Sequence, residues 1–535
     1  MTLTDILSVF GSPLRHGRAR SDGLLRSWSG LSLLVGLVVL CAVPRIAMAW
    51  RLDVLCDDGP CYIRLAEAWQ RGDWAQALLL QWNIYPMILA ALNACGVSWE
   101  QAARCWGPFV ATLTVLPLFG WLSRQFSRPV AAAGCLLYAV HPALIEWTPE
   151  MVRDSTFWLL TALTLYAGWR ATSELSIPFF VAAGLALGFA VLTRFEGLLL
   201  LVPLGWWTAR GGRGRIASRH RRGLGAALGL ALPPMMILML NVAGPESATQ
   251  WQLFRLEPLK RLQRWVGSWG DPALEPVGLV PESASLDLGS SLWRRFNPGF
   301  QFLWSMQRGV TPVHGGLLVW GLGAWWRKWR RAAGGPLVLT AILTTVGIWI
   351  HLRATGSASS RYWLTAVLLS LPMAGLGLES LVSAVTRWLA KRTSPRLAVR
   401  TALVSCVGLL VITGWIDALS ANLDSRRHYA ELGRWIQGHF GPQQIFGTDD
   451  HLPLVSHYAR AHYTPIPRTA TGQSLVRLIE GCGPEVVILT RRGAWEDYRQ
   501  LLDERSRLGL ERIDASQLPP GAERFVVLAR AVHRH

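Results

Sequence analysis

"LSLLVGLVVLCAVPRIAMA", residues 31–49, decides what kind of molecule this is. A run of that length crosses the roughly 30 Å hydrocarbon core of a bilayer as one helix. It follows a polar, Arg-containing leader (1–30) and is long for the core of a signal peptide. Ala47-Met48-Ala49 matches an A-x-A-like cleavage pattern, yet the topology of the remaining chain requires this helix to stay. Comparable runs recur at 106–123, 129–146, 155–171, 177–193, 195–209, 223–243, 311–326, 335–352, 362–380 and 401–419. With 51% hydrophobic and 16% charged residues across 535 positions, these eleven spans are too many for a soluble core. The expectation is a polytopic α-helical membrane protein.

The net charge of +19 is distributed as a membrane protein's would be. Basic residues concentrate in short segments between spans: "RHGRAR" (15–20), "RGGRGRIASRHRR" (210–222), "RKWRR" (327–331) and "KRTSPRLAVR" (391–400). No basic stripe interleaved with stacking aromatics is present, so nucleic acid is not an expected partner. With the N-terminus inside the cell, the segments at 124–128, 210–222, 327–331 and 387–400 all fall on the cytoplasmic side, as the positive-inside rule requires. The 28 Trp fit the same picture, because amphipathic rings favour the headgroup layer.

This orientation predicts three pieces outside the cytoplasm. Residues 50–105 hold "VLCDDGPCYIRLAEAW" (54–69) and a short apolar run at 84–95 suited to the interface. Residues 244–310 include "WQLFRLEPLKRLQRWVGSW" (251–269), an amphipathic pattern for a membrane-surface helix, and a flexible Pro- and Ser-rich loop at 271–291. Residues 420–535 alternate short helix and strand patterns and predict one small soluble α/β domain. Helices are expected at 431–440, 452–459 and 474–482, with strands at 443–448, 485–490 and 524–530. That domain has no phosphate-cradling Gly loop. Eight Cys are too scattered for a disulfide scaffold, leaving a Cys56–Cys61 bridge open and Cys95–Cys105 a weaker candidate.

Ionisable residues at a membrane are costly and mark functional positions. Here they gather at the outer ends of spans: Asp57 and Asp58; Glu146, Glu150, Arg153 and Asp154; Arg194 and Glu196; Arg353 and Arg361. Packed as a bundle, these sets converge on the outer face. A carboxylate beside an acceptor hydroxyl serves as a general base, and Arg holds phosphate by paired hydrogen bonds. A lipid-linked sugar presents such a phosphate at the membrane surface. Blander roles stand beside each: a capping or solvated acidic pair, a structural Arg194–Glu196 ion pair, a snorkelling Arg361, a capping Asp154.

In order, these features resemble the GT-C superfamily of integral membrane glycosyltransferases. The bacterial branch related to protein mannosyltransferases and lipid A aminoarabinose transferases (family 39/83-like) is most similar. The resemblance runs from residue 30 to about 380 and rests on several segments. These are Asp57-Asp58, "YIRLAEAWQRGDW" (62–74), "YPMILAAL" (85–92), "VRDSTFWLLTALTL" (152–165), "GFAVLTRFEGLLLLVPL" (188–204) and "SRYWLTAVLLSLPMAGLG" (360–377). It implies a GT-C domain over 31–419 and inverting transfer from a polyprenyl-phosphate sugar to an envelope lipid, glycan or protein. The site and the C-terminal domain would lie on the periplasmic side of the bacterial inner membrane. One of Asp57 and Asp58 would be the base, with Asp57 favoured. Asp154 (or Glu150) would support acceptor or sugar, Arg194 and Arg361 would hold the donor phosphate, and Glu196, Arg353 and Tyr362 would complete the substrate site. The intervening "GPC" (59–61) departs from the family pattern and leaves the choice of Asp open. No cofactor is expected to be required; a divalent cation is possible but not favoured, as no His cluster stands at ligand spacing. The alternative is a lipid-linked saccharide transporter or polymerase-like protein, although no internal repeat supports it.

Overall fold

A computed structural model describes residues 23–77, 84–210, 298–326, 335–355, 359–420, 426–440, 444–447, 452–466, 472–490, 495–522 and 525–530, with Gly223 alone between the second and third stretches. The expected span at 223–243, the surface helix at 251–269, the loop at 271–291 and the basic segments at 15–20 and 327–331 lie outside these residues. So does nearly all of the basic segment at 210–222. The chain divides into two compact units, Met1–Ala49 with Ala68–Ala421, and Trp50–Glu67 with Asn422–His535.

Among the described residues the first unit contains helices and no strand. Its helices include Gly23–Arg51, Trp99–Leu113, Val115–Gln125, Arg128–Val140, Pro142–Glu146, Asp154–Glu174 and Ile177–Thr193, then Leu201–Arg210, Pro298–Val310, Pro312–Trp326, Gly335–Thr355, Leu364–Leu389 and Pro395–Leu419. Every expected span within the described residues falls on helix, although 129–146 and 195–209 prove to be broken ones. Among the described residues, five helical stretches are long and apolar enough to cross a membrane: Gly30–Arg51, Trp99–Gln125, Gly335–Arg353, Ser360–Leu389 and Pro395–Leu419. The first helix is two-faced. Leu33, Leu37 and Cys41 enter the core, while Leu31, Val35, Val39 and Val43 stay exposed at helical spacing, a lipid-facing stripe. Val404, Leu409, Ile412 and Ile416 expose a similar stripe on Pro395–Leu419.

Lipid tails are as apolar as Leu, so close backbone approach, not hydrophobicity, joins such helices. Helices Pro312–Trp326 and Leu364–Leu389 show it: a Cβ on Gly321 would collide with the Met373 carbonyl, and one on Gly377 with that of Leu317. Gly377→Val is therefore expected to prise this pair apart, at a cost of about 1–3 kcal/mol, read as a lower unfolding midpoint of the detergent-solubilised chain. An unshifted midpoint would rule out the contact. Arg45 is fully buried in the first helix, donating to the carbonyls of Cys41 (2.9 Å), Ala139 (2.9 Å) and Tyr138 (3.1 Å). It thereby neutralises the electronegative end of helix Arg128–Val140.

The second unit contains a five-stranded mixed sheet, β1 (Gln444–Gly447), β2 (His462–Pro465), β3 (Val486–Thr490), β4 (Leu510–Arg512) and β5 (Phe525–Arg530). Its order is β2-β1-β3-β5-β4, with β2, β1 and β3 parallel and β5 antiparallel to both neighbours. Helices Arg427–Phe440, Leu452–Tyr458, Gly472–Cys482 and Trp495–Glu504 interleave with it. Continuous apolar runs make β3 and β5 the buried centre, and Leu475, Val476 and Ile479 of one helix pack into the same core. All three expected helices and strands are present; β2, β4 and the helix Trp495–Glu504 were not expected.

Candidate active site

Three helix breaks in the first unit hold most of the expected site residues. The first is the irregular stretch 147–153, after which Asp154 opens the helix Asp154–Glu174. In the second, Arg194 adopts extended backbone (φ −147°, ψ 132°) between helix Ile177–Thr193 and a 3-10 turn, Phe195–Leu200. The fold-back is tight: a Cβ on Gly197 would stand 2.8 Å from Val191 N. That sharp reversal puts Arg194 and Glu196 side by side. The third is the 3-10 turn Ser360–Trp363, started by Ser359, whose hydroxyl accepts from Arg361 N–H at 3.4 Å. It is pinned by the buried Trp363, whose indole donates to Ser305 Oγ at 3.1 Å.

Across these breaks, Arg194 Nη1 donates to Asp154 Oδ1 and Arg194 Nη2 to Glu196 Oε1 at 2.6 Å. The Arg194 and Asp154 side chains are only 4% and 3% exposed, while Glu196 is 37% exposed. The guanidinium lies 5.9 Å from the Phe157 ring and 5.7 Å from that of Tyr362. Arg361 sits against the same tyrosine at 5.5 Å, and against Trp147 at 5.7 Å. Tyr362 is thus shared between two guanidiniums, and His351 packs edge-on against it at 5.0 Å. Desolvated cation–aromatic contacts of this kind are worth up to about 2 kcal/mol. Glu150 is buried near the first break, in a turn where Val152 N–H donates to the Glu150 carbonyl at 2.7 Å. Arg353 stands exposed in the last turn of Gly335–Thr355, with no hydrogen bond or ion pair among the described residues.

Asp57 and Asp58 belong to the second unit. They form a half-buried turn: Gly59 N–H donates to the Cys56 carbonyl at 2.9 Å, and Cys61 and Tyr62 N–H donate to the Asp58 carbonyl at 3.1 Å each. Helix Gly59–Arg71 starts directly behind them. All eight cysteines are free thiols, Cys56 and Cys61 included. Burial pushes the Cys61 thiol up, Arg64 opposes this and Asp58 adds to it, so little reactive thiolate forms at neutral pH. Among the described residues no group of three or more His, Cys, Asp or Glu is arranged to hold a metal ion.

Sequence reasoning overlooked Arg45 and the aromatic walls Trp147 and Phe157. An arginine inside an otherwise apolar span was a usable signal for the first; nothing local marked the second.

Residues 84–237 match the family model described as dolichyl-phosphate-mannose-protein mannosyltransferase. The crystal structure of ArnT from Cupriavidus metallidurans bound to undecaprenyl phosphate is similar at TM-score 0.55 and 14% identity, over 95% of this chain and 98% of that one. Its apo state gives TM-score 0.56 at the same identity and coverage. The oligosaccharyltransferase of Archaeoglobus fulgidus tethered with an acceptor peptide gives TM-score 0.51 and 12% identity, over 88% of this chain and 70% of that one. No curated protein matches the chain in sequence. The fold is that of the GT-C membrane glycosyltransferases. Residues 84–237 resemble the protein mannosyltransferase family, and the whole chain is similar in fold to ArnT.

Proposed function

We infer that this protein moves a sugar from a polyprenyl-phosphate carrier to an envelope acceptor, on the outer face of a bacterial inner membrane and with inversion at the anomeric carbon. The observation that carries the reading is the pair of guanidiniums, Arg194 and Arg361, flanking Tyr362 at 5.7 and 5.5 Å. Their roles divide. Arg194 is engaged by Asp154 and Glu196 and is 4% exposed, which suits it to fixing the three breaks in register. Arg361, half-buried beside two aromatic rings, suits the donor phosphate, which a guanidinium binds through paired, charge-assisted hydrogen bonds. As the sugar C1–O bond breaks, charge develops on the departing phosphate oxygen, where a fixed cation lowers the barrier. The acceptor hydroxyl oxygen forms the new bond to C1 from the opposite face, and its proton passes to Asp57 or Asp58.

Mass spectrometry of envelope lipids and glycans from a deletion strain beside its parent tests the reading. A missing glycosylated product with accumulated lipid-linked sugar is expected; identical profiles would sink it. Within this scheme Arg361→Ala raises the donor concentration needed for half-maximal transfer by about ten- to a hundredfold, equivalent to 1.4–3 kcal/mol for a charge-assisted hydrogen bond, and leaves that of the acceptor nearly unchanged. An unaltered donor dependence would remove Arg361 from the phosphate site.

A further inference from the structure

The second unit joins two stretches that are remote in sequence, residues 50–67 and 422–535. A buried hydrogen bond runs between them, from Leu55 N–H to the Tyr458 hydroxyl at 3.2 Å, across 403 positions. We propose that Tyr458 is a positioning residue for the acidic turn, so that the C-terminal domain sets the aim of Asp57 and Asp58 through the Leu55 backbone. The inference rests on the function proposed above.

The linkage can be followed atom by atom. Tyr458 closes helix Leu452–Tyr458, which packs on helix Arg427–Phe440. A Cβ on Gly433 would stand 2.5 Å from the Val455 carbonyl and 2.8 Å from Tyr458 Cβ, so no larger residue fits there. Arg434 of the same helix lies over the Tyr458 ring at 5.0 Å. Helix Arg427–Phe440 therefore packs against both the stem and the ring of Tyr458. Leu55 in turn supports the turn itself. Its N–H is taken by Tyr458, and its Cβ would lie 3.1 Å from a Cβ on Gly59, the residue that follows the acidic pair. Leu52, Val54, Leu55 and Cys56 are all buried, while Asp57 and Asp58 remain half-buried at the end of this anchored segment. A displacement of Leu55 is thus passed to both carboxylates. Packing alone would be met by an apolar side chain at position 458; the hydroxyl adds an acceptor for the Leu55 amide.

The test uses the full chain in membranes of the deletion strain, with that strain's own lipid extract supplying the accumulated donor. Tyr458→Phe removes the acceptor and keeps the ring. The saturating transfer rate is expected to fall about ten- to a hundredfold, the scale of a small misplacement of a reacting group. The lipid concentration at half-saturation should move by less than about twofold, since donor binding is untouched. Exchange of the Leu55 amide with deuterium should quicken about tenfold, as its hydrogen bond is gone. Val476→Ala, in the same domain's core and away from Leu55, supplies a control that lowers stability and keeps the rate. An unchanged rate in Tyr458→Phe overturns the positioning role, as does an equal loss of rate in Val476→Ala. Full activity of both Asp57→Asn and Asp58→Asn removes the base assignment and the positioning role with it, whereas identical envelope profiles in deletion strain and parent remove the transfer function itself.

Discussion

Asp57→Asn, or Asp58→Asn if the second acid is the base, is expected to lower sugar transfer by about 10²–10⁴-fold, the usual contribution of a positioned general base. The amide keeps the size and much of the hydrogen bonding of the carboxylate but cannot take a proton from the acceptor hydroxyl. Both residues lie in a half-buried turn held by backbone hydrogen bonds, which the substitution leaves in place, so chain level and membrane insertion should match the parent. Transfer assayed in membranes from each single variant decides which acid acts. Parent-level transfer in both would dismiss the base assignment.

Arg194→Met is expected to be the most damaging change to stability. It leaves the Asp154 carboxylate, 3% exposed, without its cation, whereas Glu196 at 37% exposure can turn toward water. Removing one partner from a buried ion pair costs about 3–5 kcal/mol, chiefly because an uncompensated charge stays buried. The unfolding midpoint of the solubilised chain should fall accordingly. Arg194→Met combined with Asp154→Leu should recover much of the loss, because it removes the stranded charge along with its partner. No recovery in the double variant would mean that packing around the guanidinium, not charge, sets the cost.

The membrane class was legible because the bilayer imposes a length and a polarity that no soluble helix must meet. What the runs of apolar residues could not reveal is where a helix is interrupted within a run. The stretch 129–146 reads as one span, yet His141 is extended (φ −66°, ψ 117°) and Pro142 starts a new short helix. Pro142 was the available signal, since the residue before a proline is biased away from helix. The run at 195–209 conceals a 3-10 turn, Phe195–Leu200, whose sequence "FEGLLL" differs little from helix. In the C-terminal domain, β3 and β5 were readable from their continuous apolar runs. β2, "HYTP", and β4, "LER", are edge strands of four and three residues without apolar alternation, and their pairing is settled by neighbours distant in sequence. The same holds for the site. Arg194, Glu196, Arg361 and Tyr362 stood out as polar residues at span ends, but the sharing of the Tyr362 ring by Arg194 and Arg361 depends on how the breaks pack. The Leu55–Tyr458 bond has no local signature at all.

That bond has a consequence for the order in which the molecule is made. Leu55 leaves the ribosome 403 residues before its acceptor, an interval of about 20–80 seconds at ordinary elongation rates of about 5–20 residues per second. Throughout it the first helices can enter the membrane while the acidic turn lacks its anchor. Chains released early would share this lack, however well their helices insert. On the proposed positioning role, the making and folding of residues 422–535 is itself a maturation step, arming a turn laid down 403 positions earlier.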